Sequence, residues 1–448
     1  MPGRAERTTS YRFLARWSLI GSVAAVLGTA VVQGFRWALH SASLLLGQLQ
    51  IHPVLVAAAA ALLVGGLVYR VSPNAAGEGI PSYLYYLNRR NAAFPLGSTV
   101  MKLPAAFLTI IGGGAGGLIG PLGRSTAGLM AFLTGRLLTR REHDEQLRTA
   151  AICGMSATVA SVFHAPLAAG FFAVEIIQRA NMRYRDLFPS LLSAAAAVGL
   201  ARALGLAPVI SVSAAYPAAD LRAVPVGLLF AVVVALLSAL YTRGYALAVD
   251  VFRRDRGRVV LKVLIGMVAA VGLTSIVDPA TGGTAGRLTA ELLSGTVPVT
   301  GYESIPGSSL LWIPLFYLVV RALASFLTVG SGMSAGLAAP AIQLGALLAV
   351  ATATAISPFV AFDPLPVLTV IGVSGMLAGS MNVPLAASVL AVELFGPAYG
   401  MAGAVASVIA FQINRSTTLY DHALAGSGHI DDETGNGDPG ALPTEGSP

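Results

Sequence analysis

Long apolar segments without a charged residue follow one another through this chain of 448 residues. They are residues 17–34, 41–69, 103–123, 149–174, 187–201, 223–242, 263–277, 304–320, 322–362, 364–392 and 394–414. A membrane-spanning helix needs about 20 apolar residues, and several segments are that long. The chain is 55% hydrophobic and only 11% charged, unlike any soluble globular domain. The sequence therefore predicts an all-α polytopic membrane protein.

Three clusters of glycine and proline interrupt this pattern. They are residues 77–81 (GEGIP), 117–121 (GLIGP) and 336–340 (GLAAP). Such a cluster breaks a helix at membrane depth, so that backbone N–H groups at the next helix start face a buried polar site. A helix start carries partial positive charge and favours an anion. Three such starts in one membrane protein predict an anion pathway.

The chain contains an internal repeat. Residues 165–175 (APLAAGFFAVE) reappear as 383–393 (VPLAASVLAVE), and Gly154 and Ser156 fall on Gly372 and Ser374 at the same offset. The second and third clusters fit that offset within one residue. Repeated halves with interrupted helices place a binding site at their interface, near the bilayer midplane. We expect a first half over 17–215 and a second half over 216–424, both built of tilted and broken helices. The halves are inverted relative to each other if each contains an odd number of spans.

Charge patterning predicts the topology. Arginines gather in short hydrophilic pieces, which the positive-inside rule assigns to the cytoplasm. They are Arg4, Arg7, Arg12, Arg16, Arg136, Arg140, Arg141, Arg148, Arg179, Arg183, Arg185, Arg253, Arg254, Arg256 and Arg258. We therefore expect a cytoplasmic segment over 1–16, a polar disordered tail over 425–448, both termini in the cytoplasm, and residence in the cell inner membrane. The net charge of +7 does not indicate a nucleic-acid partner.

The order of these motifs resembles the CLC family of chloride channels and proton-coupled chloride antiporters. Residues 77–81 are similar to the family's G-S-G-I-P, residues 117–121 to its G-(K/R)-E-G-P, and residues 336–340 to its G-x-F-x-P. Tyr420 matches the tyrosine that closes the central anion site, and Lys102 stands where the family often has a lysine. The resemblance covers nearly the whole chain, from the first span to Tyr420.

The resemblance implies a homodimer in the lipid bilayer that moves chloride or another small inorganic anion without a cofactor. The anion would be held by the amides of Ile119, Gly120, Leu337 and Ala338 and by the hydroxyl of Tyr420. The residues assigned to the site in this way are Glu78, Gly79, Ile80, Ile119, Gly120, Leu337, Ala338 and Tyr420. No metal site or catalytic residue is expected, and the protein is not expected to be an enzyme.

Three positions depart from the family pattern. Ile119 replaces the gating glutamate, and Ile176 stands where the antiporters have an internal proton glutamate. Isoleucine cannot carry a proton, so we expect a passive channel or uniporter. The third departure is Glu78, which replaces the serine of the first motif. Glu78 and Ile119 are therefore the candidate gates.

Glu78 has two interpretations, because a carboxylate in a membrane-buried motif usually has a function or a partner. It is either a tethered anion at the central site, competing with the transported anion, or a side chain in the aqueous cytoplasmic vestibule that caps a helix or pairs with an arginine. A coupled antiporter with Glu78 as substitute proton carrier, and a non-conducting sensor or scaffold, remain as alternative functions. For Glu175 and Glu393, at equivalent repeat positions, we expect pairing or helix capping, and for His164 packing.

Overall fold

The computed structural model describes residues 4–88, 92–137, 143–177, 182–210, 212, 220–253, 259–293 and 311–421. Within these ranges the chain forms sixteen α-helices. They are α1 (Arg4–Leu49), α2 (Pro53–Arg70), α3 (Ile80–Asn88), α4 (Leu96–Ile111), α5 (Ile119–Leu137), α6 (His143–Phe163), α7 (Pro166–Glu175), α8 (Tyr184–Ala203), α9 (Val224–Arg253), α10 (Val259–Val277), α11 (Gly286–Leu293), α12 (Trp312–Gly330), α13 (Ala338–Ile356), α14 (Leu365–Met381), α15 (Pro384–Phe395) and α16 (Gly400–Asn414). The predicted all-α polytopic fold is confirmed.

Five of the described helices are long and apolar enough to cross a membrane. These spans are Leu14–Leu49, Val224–Arg253, Val259–Val277, Trp312–Gly330 and Ala338–Phe359. The apolar helices α4, α7, α14 and α15 have only 10–17 residues. Short helices leave backbone ends inside the protein, which a membrane protein tolerates only where those ends are buried against other helices or line a cavity.

The repeat is visible in the order of the helices. Helices α4 to α7 recur as α12 to α15, and α2 and α3 recur as α10 and α11. The second and third clusters meet where Gly117 and Gly336 form an antiparallel bridge, with N–H to oxygen distances of 2.7 and 2.8 Å. Equivalent residues that pair antiparallel are what two inverted halves produce around a two-fold axis. The two broken helices therefore meet at the centre of the molecule.

The glycines and prolines set the helix ends, as the sequence predicts. Helix α4 ends at Ile111, and the chain turns through Gly113, which has a φ of +89°. Helices α7 and α15 each begin with a proline, the residue whose missing N–H costs nothing at a first helical position. Small residues at the equivalent positions Gly154 and Gly372 bring helices into close contact, because a Cβ there would lie 2.7 Å from the Thr126 carbonyl oxygen and 2.2 Å from that of Gly345.

Some predictions concern residues outside the described ranges. The tail over 425–448 and the proposed boundary between the halves at residues 215 and 216 are among them. So are several arginines behind the topology prediction, namely Arg140, Arg141, Arg179, Arg254, Arg256 and Arg258. Of the segment expected over 1–16, residues 4–16 belong to α1, which is helical from Arg4.

Candidate anion site

The site is built from the first glycine and proline cluster, which lies against the second. Gly77 and Gly79 have φ values of +71° and +109°, which residues with a Cβ rarely adopt. A Cβ on Gly79 would lie 2.6 Å from the Gly120 carbonyl oxygen, and a Cβ on Gly120 would lie 2.5 Å from Glu78 Oε1. The starts of α3 and α5 can therefore approach each other only because both positions are glycine.

Three helix starts converge on the Glu78 carboxylate. The N–H of Ile80 donates to Glu78 Oε2 at 2.6 Å, and the N–H of Leu337 donates to Oε1 at 3.4 Å. Gly120, in the first turn of α5, contacts the same carboxylate. Glu78 itself is buried, with 3% exposure. Helix starts attract anions through their free N–H groups and their partial positive charge, and here the side chain of the protein supplies the anion.

The other predicted site residues lie around this carboxylate. Ile119 and Ala338, the first residues of α5 and α13, precede and follow the residues that contact Glu78, and both are buried. Tyr420 is buried, and its hydroxyl has no hydrogen-bond partner within the described part of the chain. It interacts electrostatically with Glu78. The arrangement thus brings all eight predicted residues into one region between the two halves.

The burial of Glu78 bears on the two interpretations of this residue. A side chain with 3% exposure does not lie in an open aqueous vestibule in this conformation. The helix capping that the vestibule interpretation included is nevertheless observed. Glu78 caps the start of α3, because its carboxylate accepts a hydrogen bond from the N–H of Ile80. The same carboxylate reaches Leu337 of the other half, and that contact places it between the two halves.

Lys102 holds the segment that leads into Glu78. Its ammonium donates to the carbonyl oxygens of Ala75, Ala76 and Gly77 at 3.0, 3.0 and 2.6 Å. Lys102 is fully buried, and it interacts electrostatically with Glu78. Three bonds from one cation to successive carbonyls fix the path of the chain just before the carboxylate. The ammonium also supplies a positive charge close to the negative one.

Arg124 is a buried cation that the motif analysis missed. It lies on α5 one turn after Gly120, so it shares the helix face that contacts Glu78. Its guanidinium donates to the hydroxyls of Ser82, Ser98 and Thr99 at 3.3, 2.6 and 3.1 Å. A comparison of the repeats could have found it, because the equivalent of Arg124 in the second half is the neutral Gln343.

Glu175 and Glu393 each cap the start of a helix in the opposite half, which confirms the structural role predicted for them. Glu393 accepts hydrogen bonds from the N–H groups of Leu167 and Ala168 at the start of α7, at 3.0 and 2.8 Å. Glu175 accepts from those of Leu385 and Ala386 at the start of α15, at 2.9 and 2.8 Å. Each carboxylate thereby neutralises a helix start of the opposite half.

His164 occupies a backbone position that the sequence did not reveal. It follows α6 with a φ of +54°, and its repeat equivalent Asn382 follows α14 with a φ of +56°. A left-handed residue is a common end for a helix. His164 and Asn382 thus share a left-handed backbone conformation at the end of equivalent helices.

The family follows from comparison with known proteins. A model of the voltage gated chloride channel family matches residues 60–415. This chain therefore belongs to the CLC family of anion transport proteins, as the motifs predicted, and it is a multi-pass membrane protein. The members of the CLC family are transporters rather than enzymes.

Individual relatives are distant but cover most of the chain. The chloride/fluoride channel protein of Pseudomonas syringae is 25% identical over 93% of this chain and 88% of its own length. The H⁺/Cl⁻ exchange transporter ClcA of Vibrio campbellii is 25% identical over 87% of this chain and 83% of its own.

Two solved structures share the fold. A CLC-type fluoride/proton antiporter has a TM-score of 0.77 at 18% identity, and the comparison covers 92% of this chain and 98% of that one. A slow cyanobacterial Cl⁻/H⁺ antiporter has the same TM-score at 19% identity, with 93% and 99% covered. At this level of identity the likeness concerns the fold alone.

Proposed function

We propose that this protein conducts a small inorganic anion passively across the membrane, with Glu78 as an internal gate. The observation that carries the proposal is the carboxylate of Glu78 at the meeting point of three helix starts. The N–H groups of Ile80 and Leu337 already bind an anionic group. When Glu78 moves away, the same donors are available to a dissolved anion, together with the hydroxyl of Tyr420, which has no hydrogen-bond partner among the described residues.

The absence of proton coupling is proposed from two apolar residues. Ile119 and Ile176 stand where coupled members of the family carry protons, and both are buried apolar side chains here. Neither can bind a proton. An anion gradient should therefore dissipate without moving protons in a fixed ratio.

A coupled antiporter is the second candidate, favoured by one feature of the site. An anion and the Glu78 carboxylate compete for the same donors, so each binding event displaces the carboxylate. A displaced carboxylate that takes up a proton would link the two movements. Relatives of this chain are named as chloride/proton exchangers, and solved proteins of the same fold are titled as chloride/proton and fluoride/proton antiporters.

The setting follows from the resemblance and the charge pattern. We propose a homodimer in the cell inner membrane with both termini in the cytoplasm. The partners are then a small inorganic anion, the lipid bilayer and a second copy of the chain.

Flux measurements on the full-length protein in liposomes separate these candidates. Vesicles loaded with potassium chloride and treated with valinomycin should release chloride. The chloride gradient should not drive protons against the proton gradient, so the pH inside the vesicles should stay constant. Uphill proton movement driven by chloride, abolished by Glu78→Gln, would overturn the passive mechanism in favour of the antiporter. If no anion of a panel including chloride, nitrate and fluoride moves faster than in protein-free vesicles, the protein is a non-conducting member of the family.

A further inference from the structure

The guanidinium of Arg321, in the middle of α12, bonds to the protein through only part of its donors. Its Nε donates to Gln343 Oε1 at 2.6 Å, and its Nη1 donates to the carbonyl oxygens of Thr281 and Gly283 at 2.8 and 3.0 Å. Its Nη2 has no hydrogen-bond partner among the described residues, although Arg321 is fully buried. An amino group shielded from water is therefore left without an acceptor, which is costly.

The positive charge of Arg321 has no carboxylate in contact with it within the described part of the chain, where no ion pair includes this residue. Asp278, in the loop that Arg321 holds, accepts a hydrogen bond from the Tyr317 hydroxyl at 2.6 Å instead. Glu78 accepts its hydrogen bonds from two helix starts. Arginine stays protonated in proteins, so the charge persists. A buried charge is costly unless a charge of opposite sign compensates it.

A second unused donor, the hydroxyl of Tyr241 on α9, belongs to the same cluster. Tyr241 has 2% exposure, and its hydroxyl lies beside that of Ser325 but makes no hydrogen bond within the described residues. Ser325 follows Arg321 by one turn of α12, so the two side chains share a face of that helix. Tyr241 and Arg321 interact electrostatically, and the ring of Phe326 packs 5.1 Å from that of Tyr241. Packing between α9 and α12 thus holds an unused phenol close to an unused amino group.

We propose that Arg321 Nη2 and the hydroxyl of Tyr241 bind a small monovalent anion, such as chloride or bromide, at a second site besides the donors around Glu78. Each group donates a hydrogen bond to the anion, and the anion compensates the charge of the guanidinium. A monovalent ion fits because the site contains one uncompensated positive charge. The inference goes beyond the proposed function, because binding at this site does not require the protein to conduct.

The second site gives both halves a negative charge near their buried cation. In the first half Lys102 interacts electrostatically with Glu78, a side chain of the protein. In the second half Thr284 stands at the position equivalent to Glu78, so a dissolved anion takes the place of the carboxylate. The anion at Arg321 is therefore a structural counter-ion, and the stability of the folded protein should rise with anion concentration.

A crystal structure of the full-length protein grown in sodium bromide tests the proposal directly, because bromide is recognised by its anomalous scattering. The expected result is an anomalous peak within hydrogen-bonding distance of Arg321 Nη2 and the Tyr241 hydroxyl. No peak there, or a water molecule bridging the two donors, would overturn the inference. A peak at the donors around Glu78 alone would overturn it and leave the proposed function intact. A peak at Arg321 in a protein that moves no anion would support the inference although the proposed function fails.

Thermal unfolding in detergent, with sodium bromide replacing sodium gluconate, tests the site in solution. The midpoint of the parent should rise by several degrees, because an anion that binds only the folded state stabilises it. Tyr241→Phe removes one hydroxyl and should raise the bromide concentration that gives half of this rise by about three- to tenfold.

The matched control is Tyr245→Phe, the same change one turn further along α9 in a residue that also packs against Phe326. It should leave the half-saturating bromide concentration unchanged. The shift caused by Tyr241→Phe should persist in a Tyr420→Phe background, where binding at the donors around Glu78 is already weakened. If Tyr241→Phe causes no shift, or one that Tyr245→Phe equals, the second site does not exist.

Discussion

The two halves of the molecule use the same device to hold the loop before a short helix. In the first half Lys102 on α4 donates to the carbonyls of Ala75 and Gly77, among others. In the second half its equivalent Arg321 on α12 donates to those of Thr281 and Gly283, at 2.8 and 3.0 Å. Both cations are fully buried. A buried cation on the preceding helix is therefore part of the shared framework.

The halves differ at two positions beside this device. The first half has Glu78 where the second has Thr284, and Arg124 where the second has Gln343. Gln343 accepts a bond from Arg321 Nε at 2.6 Å and donates to the Thr284 carbonyl oxygen at 3.0 Å. At these two positions the first half thus contains one extra negative and one extra positive buried charge. A buried charge is costly unless a second charge compensates it, and the cation that acts on Glu78 is Lys102.

The comparison distinguishes charges that both halves share from charges that only one half has. Charges that occur in both halves, at Lys102 and Arg321 or at Glu175 and Glu393, hold loops and cap helices. Glu78 and Arg124 occur in one half only, beside the meeting point of the helix starts. The following predictions test this division.

The largest effect is expected from Glu78→Gln, which makes the first half neutral at this position like the second. Two unit charges 4 Å apart repel by about 4 kcal/mol at an effective dielectric constant of 20. Loss of that repulsion should raise chloride flux at neutral pH at least about tenfold. Protonation removes the same charge, so parent flux should rise as cytoplasmic pH falls, and the variant should be insensitive to pH.

The matched control for Glu78→Gln is Thr284→Val at the equivalent position. It should leave both the rate and the pH profile of the parent unchanged. If Glu78→Gln also leaves both unchanged, Glu78 lies outside the pathway and only caps α3.

Lys102→Met and Arg321→Met should destabilise the protein to a similar degree. Each change leaves buried carbonyl oxygens without a donor, at about 1–3 kcal/mol per group. The measurement is thermal unfolding of the purified protein in detergent, where both midpoints should fall by several degrees. A large fall for one variant and none for the other would show that the two cations are not equivalent.

Tyr420→Phe removes a buried hydroxyl that only the second half contributes to the site. One hydrogen bond to an anion is worth about 0.5–3 kcal/mol, so anion affinity should fall about tenfold. Calorimetric titration with chloride measures the change. Unchanged affinity would remove the Tyr420 hydroxyl from the site.

Arg124→Gln copies the residue of the second half into the first. Loss of a nearby cation makes the charged form of Glu78 less favourable, so flux should reach half its maximum at a pH that is higher by roughly one unit. The same substitution in a Glu78→Gln background should produce no shift, because nothing titrates there. A shift that persists in that background would show that Arg124 acts on another group.

The smallest effects are expected from Glu175→Gln and Glu393→Gln, which weaken equivalent helix caps. Each should cost about 0.5–2 kcal/mol of stability, and the two costs should be similar. The dependence of flux on pH should remain that of the parent in both variants. A changed pH profile in either one would give that carboxylate a part in transport.

Much of this protein was predictable from the sequence because its determinants are local. Apolar segments without charge require a membrane, and a glycine and proline cluster ends one helix and starts another wherever it stands. The repeat of residues 165–175 at 383–393 and the family resemblance are likewise properties of the chain alone. The same holds for the anomaly of Glu78, a carboxylate inside a motif made for anions.

Only the tertiary structure decided which groups meet. Glu175 lies just before an arginine-rich segment of the sequence, yet both it and Glu393 bond to a helix start in the opposite half. The loop around Gly283 has little sequence likeness to the loop around Gly77. The two loops are recognised as equivalent only because they share positive φ values and because a buried cation, Arg321 in the second half, binds carbonyl oxygens of the loop. The burial of Glu78 between Ile80, Gly120 and Leu337 required the three helix starts to be packed together. The physical reason is that helix ends and breaks depend on neighbours in the chain, whereas the partner of a buried charge is chosen by packing between segments that are distant in sequence.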